Sequence, residues 1–113
     1  MSKKLEAEFD TAMMSIYDRA KKEAGYNATA FLKMLYEHRG RETARRLIYA
    51  ASPKTGYSAL SERGRLDLTV EALIFDNPKW HPLFTPDELV RVKKRLVDYQ
   101  YPNALKSPTE KVG

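Results

Sequence analysis

Two Arg-Gly-Arg triplets offer the most distinctive binding chemistry in this sequence. Each triplet places two guanidinium groups beside a glycine at an expected junction between helices, at residues 39–41 and 63–65. Guanidinium forks and the free N–H groups of a helix start can bind a phosphate together. A structural interpretation stays open, because glycine commonly ends a helix and arginine neutralises the carbonyl end.

Further basic residues extend this pattern. Arg45 and Arg46 follow the first triplet, and the segment from Arg91 to Arg95 contains no acid. The net charge of +5 favours attraction to polyanions, although charged runs on helices also occur as plain solvated faces. The predicted contacts to nucleic acid or to an acidic partner are Arg39, Arg41, Arg45, Arg46, Arg63, Arg65, Arg91, Lys94 and Arg95.

The sequence shows no pattern typical of a catalytic or metal site. His38 and His81 fall on different elements, cysteine is absent, and no histidine–glutamate pair has ligand spacing. Asp67 and Glu71 are four residues apart, but Asp67 is also a suitable helix N-cap. With neither a phosphate-binding loop nor a nucleophile elbow, the sequence predicts a protein that is not an enzyme and uses no metal or cofactor.

Aromatic residues provide an alternative contact surface. Tyr57, Trp80 and Phe84 are predicted to line an exposed apolar groove for a protein partner, with Tyr57 as the best exposed contact. Four other tyrosines occur at or beside core spacing and are predicted to pack inside the protein: Tyr17, Tyr36, Tyr49 and Tyr99.

The first half of the chain predicts three helices. Apolar residues recur every three or four positions from Leu5 to Ala24, and Gly25 is the expected helix stop. Asn27 is the expected cap of a second helix that ends near residue 39, with Gly40 as its stop. A third helix is predicted over residues 41–51 and ends at the Ser-Pro pair of residues 52–53.

The middle of the chain is ambiguous. Residues 57–63 predict one or two short helical turns that Gly64 ends. The segment from Leu66 to Ile74 alternates like a strand and also fits helical spacing. No partner strand with matching alternation exists, and a lone strand would leave its backbone unpaired, so a helix is favoured.

The last helix has the clearest start signal. Thr85 is the expected N-cap, Pro86 the first helical residue, and Glu88 completes a capping box. Pro102 is expected to stop this helix. The sequence therefore predicts an all-α bundle of about five helices with one short helical turn, in a single domain over residues 1–102 with a flexible tail over residues 103–113.

The composition is that of a globular domain, with 42% hydrophobic and 31% charged residues among 113. The lack of cysteine excludes disulfides. No apolar run reaches the ~20 residues of a membrane span or has the form of a signal peptide. The expected localisation is cytoplasmic.

From about Tyr26 to Gln100 the chain resembles a family of small bacterial all-helical domains of unknown function. The resemblance rests on Gly64-Arg65-Leu66-Asp67-Leu68-Thr69-Val70-Glu71-Ala72-Leu73, with support from Phe31-Leu32, Gly56-Tyr57 and Leu83-Phe84-Thr85-Pro86-Asp87-Glu88-Leu89. Such domains occur alone or beside HNH-type and restriction-like modules, which implies a setting in bacterial defence or nucleic-acid processing and no particular activity.

Two functions are therefore expected. The first is a non-enzymatic helical module that contacts nucleic acid or a nucleic-acid-processing partner through the nine basic residues above. The alternative is a small regulator or inhibitor that binds another protein through the groove at Tyr57, Trp80 and Phe84.

Overall fold

Six α-helices and two 3-10 helices make up the computed structural model, which describes residues 3–50 and 55–105. Within those residues no strand occurs, which confirms the all-α prediction and the choice of helix for the ambiguous segment. The 3-10 helices span Leu66–Leu68 and Pro78–Leu83. The α-helices are α1 (Lys3–Ala24), α2 (Thr29–Ile48), α3 (Thr55–Glu62), α4 (Val70–Asp76), α5 (Pro86–Asp98) and α6 (Pro102–Leu105).

The longest helix, α1, supplies the centre of the core. Phe9, Met13, Ile16 and Ala20 are its buried residues, at the three- and four-residue steps that the sequence pattern predicted. Gly25 follows the helix with φ at +68°, so the predicted glycine stop is confirmed. In the part of the chain that the structure describes, no helix has the length and apolar character needed to cross a bilayer.

A kink divides α2 at Arg39, and its geometry corrects the prediction for Gly40. The left-handed backbone belongs to Arg39 (φ +68°, ψ −179°), a region that only glycine adopts freely. Gly40 instead allows α2 to approach α1, because a Cβ there would lie 2.9 Å from Asp10 Oδ1 and 3.2 Å from Phe9 Cδ2. Asp10 Oδ1 accepts a hydrogen bond from the Gly40 amide (2.8 Å), so a carboxylate of α1 caps the second half of α2.

The predicted cap of α2 is wrong. Ala28 occupies the N-cap position and makes no side-chain capping bond, whereas Asn27 Oδ1 accepts a hydrogen bond from the Tyr17 hydroxyl. The helix predicted to run to residue 51 ends earlier, at Ile48, with Tyr49 as its C-cap; the Ser-Pro pair expected to stop it, residues 52–53, lies outside the described residues. The short helix predicted over residues 57–63 is α3, which begins two residues earlier, at Thr55. Gly64, with φ at +70°, follows it as predicted.

The helix predicted from Leu66 is broken at Thr69. A 3-10 turn comes first, and then Thr69 caps α4 by accepting a hydrogen bond from the Ala72 amide (3.1 Å). Asp67 is therefore not the N-cap, and its carboxylate binds Arg65 instead.

The capping box of α5 is confirmed. Glu88 N–H donates to Thr85 Oγ1 (3.1 Å), and Thr85 N–H donates to Glu88 Oε1 (3.0 Å). Pro102 was predicted to stop this helix, but α5 already ends at Asp98, with Tyr99 as its C-cap, and Pro102 begins α6, in which Ala104 is buried. Residues 103–105 thus belong to the helical body and not to a tail, while residues 106–113 lie outside the described residues.

Candidate functional site

The first Arg-Gly-Arg triplet is bound to the beginning of α1. Arg39 Nη2 lies 2.6 Å from Asp10 Oδ2, in an ion pair between two helices. Arg41 donates through Nε to the carbonyl of Leu83 (2.8 Å), and its Nη1 lies 3.6 Å from a carboxylate oxygen of Glu6. Both guanidinium groups therefore hold helices together.

The second triplet is bound to the opposite end of α1. Arg63 donates to the carbonyl of Ala24 (3.0 Å), and Arg65 Nη2 lies 2.7 Å from Glu23 Oε1. Arg65 also binds Asp67, and its two partners raise its pKa. Hydrogen bonds from Arg19 and then from Arg65 lower the pKa of Glu23 to about 2. At 1.5 Å per helical residue, these contacts are about 20 Å along α1 from those of the first triplet. The two triplets do not form one site.

The remaining predicted cations meet carboxylates. Arg45 Nε lies 2.8 Å from Glu88 Oε2, beside Tyr49, whose ring lies 4.8 Å from the guanidinium of Arg91. In this small cluster Arg45 of α2 and Arg91 of α5 lie close to the same tyrosine. Three other predicted cations pair with a carboxylate four residues away on their own helix: Arg46 with Glu42 on α2, and Arg91 with Asp87 and Lys94 with Asp98 on α5.

The alternative contact residues are not exposed. Tyr57 and Trp80 are each 6% exposed and Phe84 is 7% exposed, so the three do not form the exposed groove that the sequence predicted. Tyr57 instead lines the cavity described below, and Trp80 and Phe84 do not. Phe9 of α1 packs edge-on against both Trp80 and Phe84, at centroid distances of 5.3 and 5.6 Å. Of the tyrosines expected inside, Tyr36 is instead 76% exposed. Tyr49 and Tyr99 are also exposed, and Tyr17 is partly so.

The histidines and carboxylates form no metal-binding group among the described residues. His81 Nε2 lies 3.0 Å from the carbonyl of Ile74, and His38 Nε2 lies 3.8 Å from Glu37 Oε1. Asp67 and Glu71 are bound to different arginines, so they do not share a ligand position.

A cavity of about 290 Å³ lies among α1, the two halves of α2, α3, and the turn that precedes α4. Its lining is mainly apolar. Ala30 of the lining is exposed and Phe31 and Met34 are partly exposed, so this cavity opens to solvent along the first half of α2. Representative lining residues are Ile16, Ala20, Phe31, Met34, Leu60 and Leu68. We call it the α1–α4 cavity.

A buried ion pair forms the polar part of this cavity. Arg95 Nη1 lies 3.0 Å from Glu71 Oε2, with the two side chains 14% and 5% exposed. Burial raises the pKa of Glu71 above its usual range, although its own amide and Arg95 oppose the shift. Arg95 also donates to the carbonyls of Leu47 (2.9 Å) and Ala50 (2.8 Å), which fastens the end of α2 to α5.

Sequence reasoning identified Arg95 only as a surface cation and Glu71 only as half of a helical acid pair. The signal that could have found their pairing is the position of Glu71 inside the apolar run from Leu66 to Ile74, because a carboxylate buried there needs a cationic partner. The cavity itself has no sequence signal.

Comparison with protein-family models, with curated proteins and with solved structures finds no match to this chain.

Proposed function

We propose that this protein is a non-enzymatic binding domain that takes a small apolar molecule into the α1–α4 cavity. The observation that carries the proposal is an apolar cavity of about 290 Å³ in a chain of 113 residues. Protein interiors are close-packed and rarely contain voids larger than a water molecule. Ligand cavities typically start at about this volume.

The cost of leaving the cavity empty supports this function. Because the cavity opens to solvent along α2, its apolar lining is in contact with water when no ligand is bound, which is unfavourable. Water that enters from the open side needs two to four polar partners to be held. Most polar groups of the lining are already bonded within the protein, so an apolar ligand gains more there than water does.

The nine predicted basic contacts give less support to the first expected function. Each of them donates to, or lies within ion-pair distance of, a carboxylate or carbonyl oxygen, and a phosphate would have to compete with that partner. Nucleic-acid contact, and the family resemblance that accompanies it, stay predictions. Duplex DNA in a fluorescence anisotropy titration tests them: they require binding at low salt that falls by orders of magnitude between about 50 and 200 mM salt.

Ligand uptake is tested by titrating 1-octanol and indole into the labelled protein and following amide shifts by NMR. We expect saturable shifts at residues of the cavity lining and a rise in melting temperature. Ala20→Leu fills the cavity from α1 and should abolish these shifts while the protein stays folded. Ala7→Leu, at an exposed alanine of α1 that does not line the cavity, is the matched control and should retain binding. If neither probe shifts the lining residues of the wild-type protein, the proposal is wrong.

A further inference from the structure

We infer that the α1–α4 cavity selects uncharged ligands, an inference that rests on the proposed function and narrows its ligand class. The reason is the charge of the lining. Among the described residues that line the cavity, Glu71 and Arg95 are the charged ones, and they have opposite sign and direct contact at 3.0 Å. The described part of the lining therefore carries no net charge.

The polar groups around this pair are also satisfied. Tyr57 donates its hydroxyl hydrogen to the carbonyl of Arg95 (3.3 Å), and Thr69 donates to the carbonyl of Leu66 (2.7 Å). Among the described residues, no buried side-chain nitrogen or oxygen lacks a hydrogen-bond partner. The Glu71–Arg95 pair and the hydroxyls beside it are thus already bonded and offer a ligand no unpaired charge.

A ligand that carries its charge into the cavity would therefore lose the hydration of that charge without gaining a partner. Burial of an uncompensated carboxylate or ammonium costs several kcal/mol, and breaking into the Glu71–Arg95 pair would leave one of its members alone. An uncharged ligand avoids both costs. A cavity of 150 Å³ holds one benzene, so 290 Å³ accommodates roughly a dozen non-hydrogen atoms.

A series with one chain length and three head groups tests the inference: 1-octanol, octanoate and octylammonium, each titrated into the wild-type protein by NMR. We expect octanol to bind at least about tenfold more tightly than either ion, because an unpaired buried charge costs more than the ~1.4 kcal/mol that tenfold represents. Octanoate or octylammonium binding as tightly as octanol would overturn the inference and leave the proposed function standing. If none of the three binds and indole also fails to bind, both the inference and the proposed function are wrong.

Glu71→Gln tests whether the ion pair sets this selectivity. The substitution removes the negative charge and leaves Arg95 uncompensated. The affinity for octanoate should therefore rise at least about tenfold relative to the affinity for octanol. Glu88→Gln is the matched control, since Glu88 is equally buried and paired with Arg45 but does not line the cavity; it should keep the wild-type preference. If Glu71→Gln keeps the wild-type preference for octanol over octanoate, the ion pair does not set the selectivity.

If Glu71→Gln does not fold, Met34→Lys provides the same test from the cavity mouth. Met34 is partly exposed and lines the cavity, so a lysine there adds one positive charge without disturbing the buried pair. The affinity for octanoate should again rise relative to the affinity for octanol. Equal gains for octanoate and octylammonium would show that charge does not control selection and would overturn the inference.

Discussion

Replacing Gly40 by alanine should destabilise the protein, although alanine is the better helix former. The added Cβ would lie 2.9 Å from Asp10 Oδ1, 3.2 Å from Phe9 Cδ2 and 3.3 Å from the Asp10 Cα, and the last of these contacts is with backbone that cannot move aside. Overpacking of this kind costs about 1–3 kcal/mol, and the propensity of alanine returns up to about 1 kcal/mol. The expected loss in the free energy of unfolding is about 1–2 kcal/mol.

Urea unfolding followed by circular dichroism measures this loss, which corresponds to a fall in melting temperature of roughly 4–8 °C. A double-mutant cycle with Asp10→Ala identifies the cause. Without the Asp10 carboxylate the closest contact disappears, so Gly40→Ala should cost less in that background by about 1 kcal/mol. Arg39→Gly is the companion variant, because glycine adopts the left-handed backbone of that position freely and should not add strain there. A Gly40→Ala protein as stable as the wild type, or strictly additive effects with Asp10→Ala, would refute the close-approach explanation.

Two further predictions concern buried glutamates. Burial raises the pKa of Glu71, so between the usual glutamate pKa of 4.5 and that raised value the folded protein keeps a proton that the unfolded chain has released; above this window the carboxylate is ionised and paired with Arg95. Stability should fall as pH rises through the window, and thermal unfolding across pH 4–8 should show this fall in the wild type but not in Glu71→Gln. Thr85→Ala removes the capping box that Glu88 shares and should lower the free energy of unfolding by about 1 kcal/mol, whereas Thr11→Ala, at an exposed threonine inside α1, should change it by less than about 0.5 kcal/mol.

Local signals were enough to predict several elements. The capping box at Thr85, the stop at Gly25 and the buried stripe of α1 each depend on residues within a few positions of one another, so the sequence alone specifies them. The ion pairs Arg46–Glu42 and Arg91–Asp87 are of the same kind, because residues four apart on a helix are neighbours. The four-residue spacing of these acids and arginines is therefore enough to predict both ion pairs from the sequence.

Features that depend on packing between distant segments could not be predicted this way. The kink lies at Arg39 and not at Gly40 because Asp10, 30 residues before Gly40, holds the amide that a helix start leaves free. Tyr57 was predicted to be exposed and is buried, whereas Tyr36 was predicted to be buried and is exposed. Burial depends on which face of an element meets α1, α4 and α5, and the periodicity of one sequence does not specify which face that is. The α1–α4 cavity is a gap between elements, so no residue encodes it locally.

The use of arginine in this chain explains why a basic sequence need not present a basic site. Every arginine donates a hydrogen bond to a carboxylate or carbonyl oxygen, and several, such as Arg95 and Arg45, join helices that are far apart in sequence. A planar fork with five donors suits that role better than an ammonium group does. The excess positive charge is therefore carried largely by lysines, of which Lys3, Lys33 and Lys93 are exposed on three different helices. Dispersed ammonium groups attract polyanions through the net field without the bidentate contacts that fix a phosphate, so any such attraction would be weak, sensitive to salt and separable from uptake of a ligand by the cavity.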